Sequence, residues 1–269
     1  MKRFRLALGI VALTSMVIAG CGKDSSANVT NSVKEEKAEI AITSEADAIS
    51  AQSSANSHID FEAIQAQNEE IIAWLQVPGT DIDCPILQST VSDDFYISHG
   101  ADMQPDDNGA AYIEMPTMPN MCDFNTVIHG SGFESESGIF ANLINFENPE
   151  FFEKNQKFYI YLPDNQLTYD IWAVFERENT SLIRDFSLAE AKGAREFLDY
   201  VYNGRIVGKQ IREGWEDLDE YNFLATLTID DEESDKQLVV IGALSYDAAG
   251  TINREVIEEL DLGPDLMAQ

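Results

Sequence analysis

From residue 59 onward the chain is cut into short apolar runs separated by turn residues, and this spacing allows few folds. Ile82, Cys84 and Ile86 share one face of a strand, which makes Cys84 a buried apolar filler. Residues 109–113 read as a strand after the turn Asp106-Asp107-Asn108, and residues 125–129 as a strand running into Gly130-Ser131-Gly132. A hairpin is expected from 157–162 and 166–175 around Pro163-Asp164-Asn165, and residues 221–229 and 237–244 supply two closing strands. Phe95-Tyr96-Ile97 opens one more short element. Helical periodicity is confined to a few stretches. Residues 61–76 carry Ile64, Gln67, Ile71, Ile72 and Leu75 at helical spacing beside Trp74, up to the break at Pro78-Gly79. Residues 138–143 read as a helical turn. Residues 187–202 read as a long helix capped by Ser187, with Glu190 three residues on and Ala194, Phe197, Leu198 and Val201 as its stripe. Residues 253–260 read as a final amphipathic helix. Many short strands and few helices predict a mostly β domain, a barrel or sandwich with helical insertions.

The segment before residue 59 is of another kind. Lys2, Arg3 and Arg5 precede an apolar run over 6–20, which ends in Ile18-Ala19-Gly20-Cys21. The run has 15 residues, short of the roughly 20 that a spanning helix needs. It reads as a signal peptide, residues 1–20, cut before a cysteine that takes a lipid. Cys21 is then the lipid attachment point. Residues 22–57 hold no aromatic residue and are dominated by Ser, Ala, Asn, Glu and Lys. Such a composition cannot offset the entropy of ordering. Residues 21–58 are therefore read as a disordered tether, about 35 Å in r.m.s. span, that carries the domain 59–269 at the extracellular face of the cytoplasmic membrane.

The net charge is −31, and −34 without Lys2, Arg3 and Arg5. A surface of this sign repels nucleic acid and anionic headgroups, so neither is expected as a partner. Only Cys84 and Cys122 remain in the domain. Two cysteines make no disulfide scaffold, and whether they pair is left open.

Several segments, in order, resemble a class B sortase. Trp74-Leu75-Gln76-Val77-Pro78-Gly79-Thr80 matches a Trp followed by Pro-Gly-Thr, and Asp83-Cys84-Pro85 matches an Asp-Tyr-Pro strand. Gly109-Ala110-Ala111-Tyr112 matches a Gly-Ala-x-Phe strand, and Phe140-Ala141-Asn142-Leu143 a Phe-x-x-Leu turn. A long helix before the last two strands is typical of the class. The resemblance, which covers nearly all of 61–245, implies a closed β-barrel with an N-terminal helix and that long helix. It also implies the chemistry of Gram-positive cell-surface cysteine transpeptidases. There a cysteine thiolate attacks the substrate amide, a histidine handles protons and an arginine stabilises the oxyanion.

This sequence departs from the pattern at all three catalytic positions. In Val127-Ile128-His129-Gly130-Ser131 the histidine position falls on Ser131. In Thr226-Leu227-Thr228-Ile229-Asp230 the cysteine position falls on Asp230, and in Gln237-Leu238-Val239-Val240 the arginine position falls on Gln237. The resulting expectation is a catalytically inactive sortase-like lipoprotein that binds a peptide or surface protein in the old groove, lined by Ser131, Asp230, Gln237, His129 and Thr228. Two alternatives stand beside it. One is an atypical hydrolase or transpeptidase using Ser131, His129 and Asp230. Against it, Ser131 and His129 point in parallel from one strand, whereas a nucleophile must meet its base at about 3 Å. The other is a structural surface protein. Cys122 is a poor substitute nucleophile, up to about 30 Å from the old site in an extended segment. His58 and His99 read as surface residues. The run Asp230-Asp231-Glu232-Glu233-Ser234-Asp235 offers oxygen ligands of the kind calcium takes, or is simply a solvated acidic loop. No other cofactor is expected.

Overall fold

The computed structural model describes residues 59–132, 138–229 and 234–258. The expected signal peptide, Cys21 and the expected tether therefore lie outside the described residues, as do Asp230 to Glu233. Among the described residues, nine strands form one sheet: β1 (Ile71–Gln76), β2 (Asp83–Leu87), β3 (Ala111–Tyr112), β4 (Asn125–Gly130), β5 (Lys157–Leu162), β6 (Asn165–Glu178), β7 (Gln210–Ile211), β8 (Leu224–Ile229) and β9 (Lys236–Asp247). The strand order is β5-β1-β2-β3-β4-β8-β9-β6-β7, and β5 also pairs with β6. That last pairing closes eight strands into a barrel and leaves β7 appended to β6. Closure removes the sheet edges that an open arrangement of such apolar strands would expose. Most pairings are antiparallel, but β2–β3 and β4–β8 are parallel.

The helices are α1 (Phe61–Gln65), α2 (Pro149–Lys154), α3 (Leu182–Phe186) and α4 (Ala191–Asn203), with 3₁₀ segments at Phe95–Ile97 and Ala141–Glu147. The long helix before the last two strands is present as α4. Its start differs from expectation: Ser187 has φ 48° and closes α3 instead of capping α4. The reason is packing. A Cβ on Gly193 would stand 1.7 Å from the Phe186 carbonyl oxygen, so α4 approaches the end of α3 at backbone contact. The Phe186 ring meets Phe197 edge-on at 5.3 Å.

The expected N-terminal helix over 61–76 is only partly present. After α1, capped by the Asp60 carboxylate on the Ala63 amide, the chain becomes strand β1. Ile71, Ala73 and Leu75 are buried and alternate with half-buried Ile72, Trp74 and Gln76. An apolar run of this length satisfies either period, and pairing with β2 and β5 selects the strand. The helix expected over 253–260 is absent from its described part, 253–258. There the Ile257 carbonyl accepts the first amide of α4, from Ala191, at 2.7 Å. The Arg254 guanidinium donates to the carbonyls of Glu220 and Asn222 and lies over Phe124 and Phe223. These anchors hold the segment open along the surface.

Alternation along the strands makes two cores. Leu75, Ile86, Ile128, Leu227, Leu238 and Val240 fill the barrel. Val127, Val239, Ile241 and Trp172 face outward under Phe197, Leu198 and Val201 of α4. Strands β4 and β8 are thus buried on both faces, and their polar residues Asn125, Thr126, His129, Thr226 and Thr228 are buried with the apolar ones. Cys84 and Cys122 are buried free thiols and do not pair. Burial, with the nearby Asp83 charge, pushes the Cys84 thiol up to about 12. It is a filler, as its strand parity predicts.

Candidate functional site

The outward face that α4 covers along β4 and β9 is left open at the C-terminal end of β4. His129 and Val127 share that face by strand parity. Here a cavity of about 550 Å³ lies among residues from five places: Tyr96, Asp107 and Asn108 of the loop before β3, Tyr112 and Glu114 on and after β3, His129 and Ser131, Asn179, Thr180 and Ser181 after β6, and Gln237 on β9. No cysteine, lysine or arginine is among the described lining residues.

His129 is 8% exposed and pairs in register with Tyr112 on β3 and Thr228 on β8. Its ring stacks on Tyr112, centroids 5.0 Å apart and planes 21° apart, with Nε2 3.6 Å from the Glu114 carboxylate. Ser131 uses its hydroxyl elsewhere. Oγ donates to the Asn108 carbonyl at 2.6 Å and accepts from the Ile139 amide at 3.4 Å. Ser131 thus ties the loop before β3 to the segment after β4, and this hydroxyl proton is not placed on His129.

Gln237 is 3% exposed, and its amide is fully engaged. Its carbonyl oxygen accepts the Thr228 hydroxyl at 2.7 Å. Its nitrogen donates to the Thr180 carbonyl at 2.7 Å, with longer contacts to the Glu178 carbonyl and Asn179. Thr228 itself is fully buried, behind the lining. Directly across the β6–β9 pairing from Gln237 stands Arg177. Its guanidinium donates to the same Thr180 carbonyl at 2.6 Å and to Asp185 at 2.5 Å. The positive charge nearest in register to Gln237 is therefore tied up beneath the Asn179–Ser181 wall, and outside the cavity lining.

Three of the residues singled out in the sequence, Ser131, His129 and Gln237, come together at this cavity, with Thr228 supporting Gln237 from behind. Asp230 lies outside the described residues. Most of the acidic run considered for calcium is outside too. Of its described part, the Ser234 and Asp235 carbonyls accept from Asn179. Cys122 is buried, with its thiol on the Asn120 carbonyl, and is not among the lining residues. His99 stacks on Phe95 at 4.1 Å and is likewise not in the lining.

Tyr112 was visible in the sequence only as part of a strand. Glu114, Thr180 and Arg177 were not singled out at all. For Glu114 a signal existed, since it follows Tyr112 by two residues on the same side. For Thr180 none did, because nothing local says that the turn after β6 folds back onto β9.

Below Tyr96 lies a buried polar network. The Glu70 carboxylate accepts from the Tyr96 hydroxyl at 2.6 Å and from the Thr90 hydroxyl and amide at 2.6 and 2.7 Å. Burial alone would raise its pKa, but these hydrogen bonds outweigh burial and hold the carboxyl below its ordinary value.

No family model matches the chain. In sequence it is 22% identical over 239 residues to Sortase B of Listeria monocytogenes, covering 86% of this chain and 94% of that protein. In structure it resembles the Staphylococcus aureus sortase B–substrate complex, with a TM-score of 0.60 at 18% identity over 73% of this chain and 90% of that one. It also resembles a Streptococcus pyogenes class B sortase involved in pilus biogenesis, with a TM-score of 0.58 at 22% identity over 70% of this chain and 98% of that one. The eight-stranded closed β-barrel with few helices matches the sortase fold. The chain is similar in sequence to class B sortases and carries their fold.

Proposed function

We propose that the protein is a sortase-like binding protein without transpeptidase activity. It is held by lipid on Cys21 at the outer face of the cytoplasmic membrane and takes a peptide or surface-protein segment into the cavity between β3, β4 and β9. The observation that carries this reading is the lining itself, which offers a histidine but neither a thiol nor a guanidinium. Both cysteines of the domain are buried elsewhere.

The chemistry of the substituted positions agrees. An aspartate at the nucleophile position is a weak nucleophile toward an amide, and its acyl product would be an anhydride. A neutral amide brings no charge to a developing oxyanion, and loss of one oxyanion donor alone costs about 10²–10³ in rate. A serine cannot act as general acid near neutral pH, a role worth roughly 10²–10⁴. Gln237 and Ser131 also have their polar groups committed within the fold, which weakens the serine-hydrolase alternative. Binding asks for less: a concave site of about 300–1,000 Å³ with a few polar groups suffices.

The test is an NMR titration of the domain with a library of sorting-signal peptides. Saturable shifts confined to Tyr112, His129, Ser131 and Gln237 are expected. Shifts absent throughout, or confined to another surface, would contradict the reading. Anchoring is tested separately: Cys21→Ser should release the protein from the membrane fraction, and a wild-type mature chain whose Cys21 carries no lipid mass would refute it.

A further inference from the structure

Glu114 and Glu70 are two poorly exposed carboxylates in very different states. Glu70 is saturated by short bonds from Thr90 and Tyr96. The Glu114 side chain is 12% exposed, and its contacts are long: the Ser181 hydroxyl at 3.4 Å and His129 Nε2 at 3.6 Å. Both contacts fall on Oε1. Its Oε2 accepts no hydrogen bond from the described residues, although an ionised carboxylate can take about four donors. This carboxylate lines the cavity beside the aromatic wall of Tyr112 and Tyr96. Among the described residues, no lysine or arginine pairs with it, nor with the other acid of the lining, Asp107.

From this geometry we propose that the cavity selects a cationic group, a lysine ammonium or an arginine guanidinium of the bound peptide, with Glu114 as its counter-ion. The proposal rests on the peptide-binding reading above and adds the chemical class of the ligand. A donor placed at Oε2 completes a carboxylate that the fold leaves half-satisfied. Charge-assisted hydrogen bonds of this type are among the stronger ones. An overall charge of −31 draws such a ligand in, and Glu114 gives it a partner inside the cavity.

The experiment uses pools of acetylated, amidated pentapeptides of random sequence. The central residue is fixed as Lys, Arg, Gln, norleucine or Glu. Retention by the folded protein is read by ultrafiltration and mass spectrometry. The Lys and Arg pools should be retained roughly tenfold or more above the Gln and norleucine pools, with the Glu pool lowest. Glu114→Gln should erase that preference. Glu150→Gln, which removes the same charge from an exposed position on α2, should not erase it. Melting curves establish that both variants are folded. Equal retention of all pools, or a cation preference surviving in Glu114→Gln, overturns the proposal and leaves peptide binding standing. Retention of no pool overturns both.

Discussion

Gln237 is held by the fold on every side of its amide, and that is a statement about what it can do for a ligand. With its oxygen on Thr228 and its nitrogen on Thr180, it positions the Asn179–Ser181 wall and has little left for a substrate. Gln237→Leu should leave a buried hydroxyl and a carbonyl without this partner and cost about 2–4 kcal/mol, read by urea unfolding. Amide exchange should quicken at residues 179–181. Glu70 makes a second residue-level prediction. Its folded pKa is depressed, so its contribution is fully present above the unfolded carboxyl value of about 4.3 and is lost as pH falls through the folded value. Thermal stability should therefore decline on acidification through that window, and Glu70→Gln should flatten the decline. A slope unchanged in the variant would show that another group carries it. At this scale the sequence made Ser131, His129 and Gln237 legible, because apolar neighbours on both sides held their register. Glu114 and Thr180 were not, because their importance comes from contacts between segments far apart in the chain. The Glu114–Ser181 pair joins residues 67 apart.

Elements were legible where one period was the only reasonable reading and illegible where two were. The β5–β6 hairpin was readable from its turn, although the turn is tighter than expected, with Leu162 paired directly to Asn165. Strands β4 and β8 lack a clean polar–apolar alternation because both of their faces are buried. In the run 71–76, Ile71, Ile72 and Leu75 satisfy helical spacing, and only the cross-strand partners decide for a strand. The start of α4 was missed for a related reason. Ser187 and Glu190 make a plausible capping pair locally, yet the contact of Gly193 with the Phe186 carbonyl sets the true start. That contact predicts that Gly193→Ala, ordinarily favourable in a helix, is destabilising here by about 3 kcal/mol, measured by chemical denaturation. A neutral or stabilising result would mean that α4 can move away from α3. Cys84 gives a check on β2. Buried, and with its thiol pushed up to about 12, it should resist iodoacetamide in the native protein and react on unfolding.

Across the described domain, a closed barrel surrounds a site whose polar groups largely serve the fold. Barrel closure comes from alternating apolar strands and short turns and asks nothing of the residues at the mouth. Substitutions there can remove chemistry and leave the eight-stranded ring intact. The proposed function is binding without turnover. It is measured by incubating the purified protein with sorting-signal peptides and an amine acceptor, followed by intact-protein and peptide mass spectrometry. No cleaved peptide, no amine-linked product and no acyl adduct on the protein are expected on this reading. Peptide turnover that disappears in Ser131→Ala or His129→Ala would contradict it and establish a catalyst built on the serine.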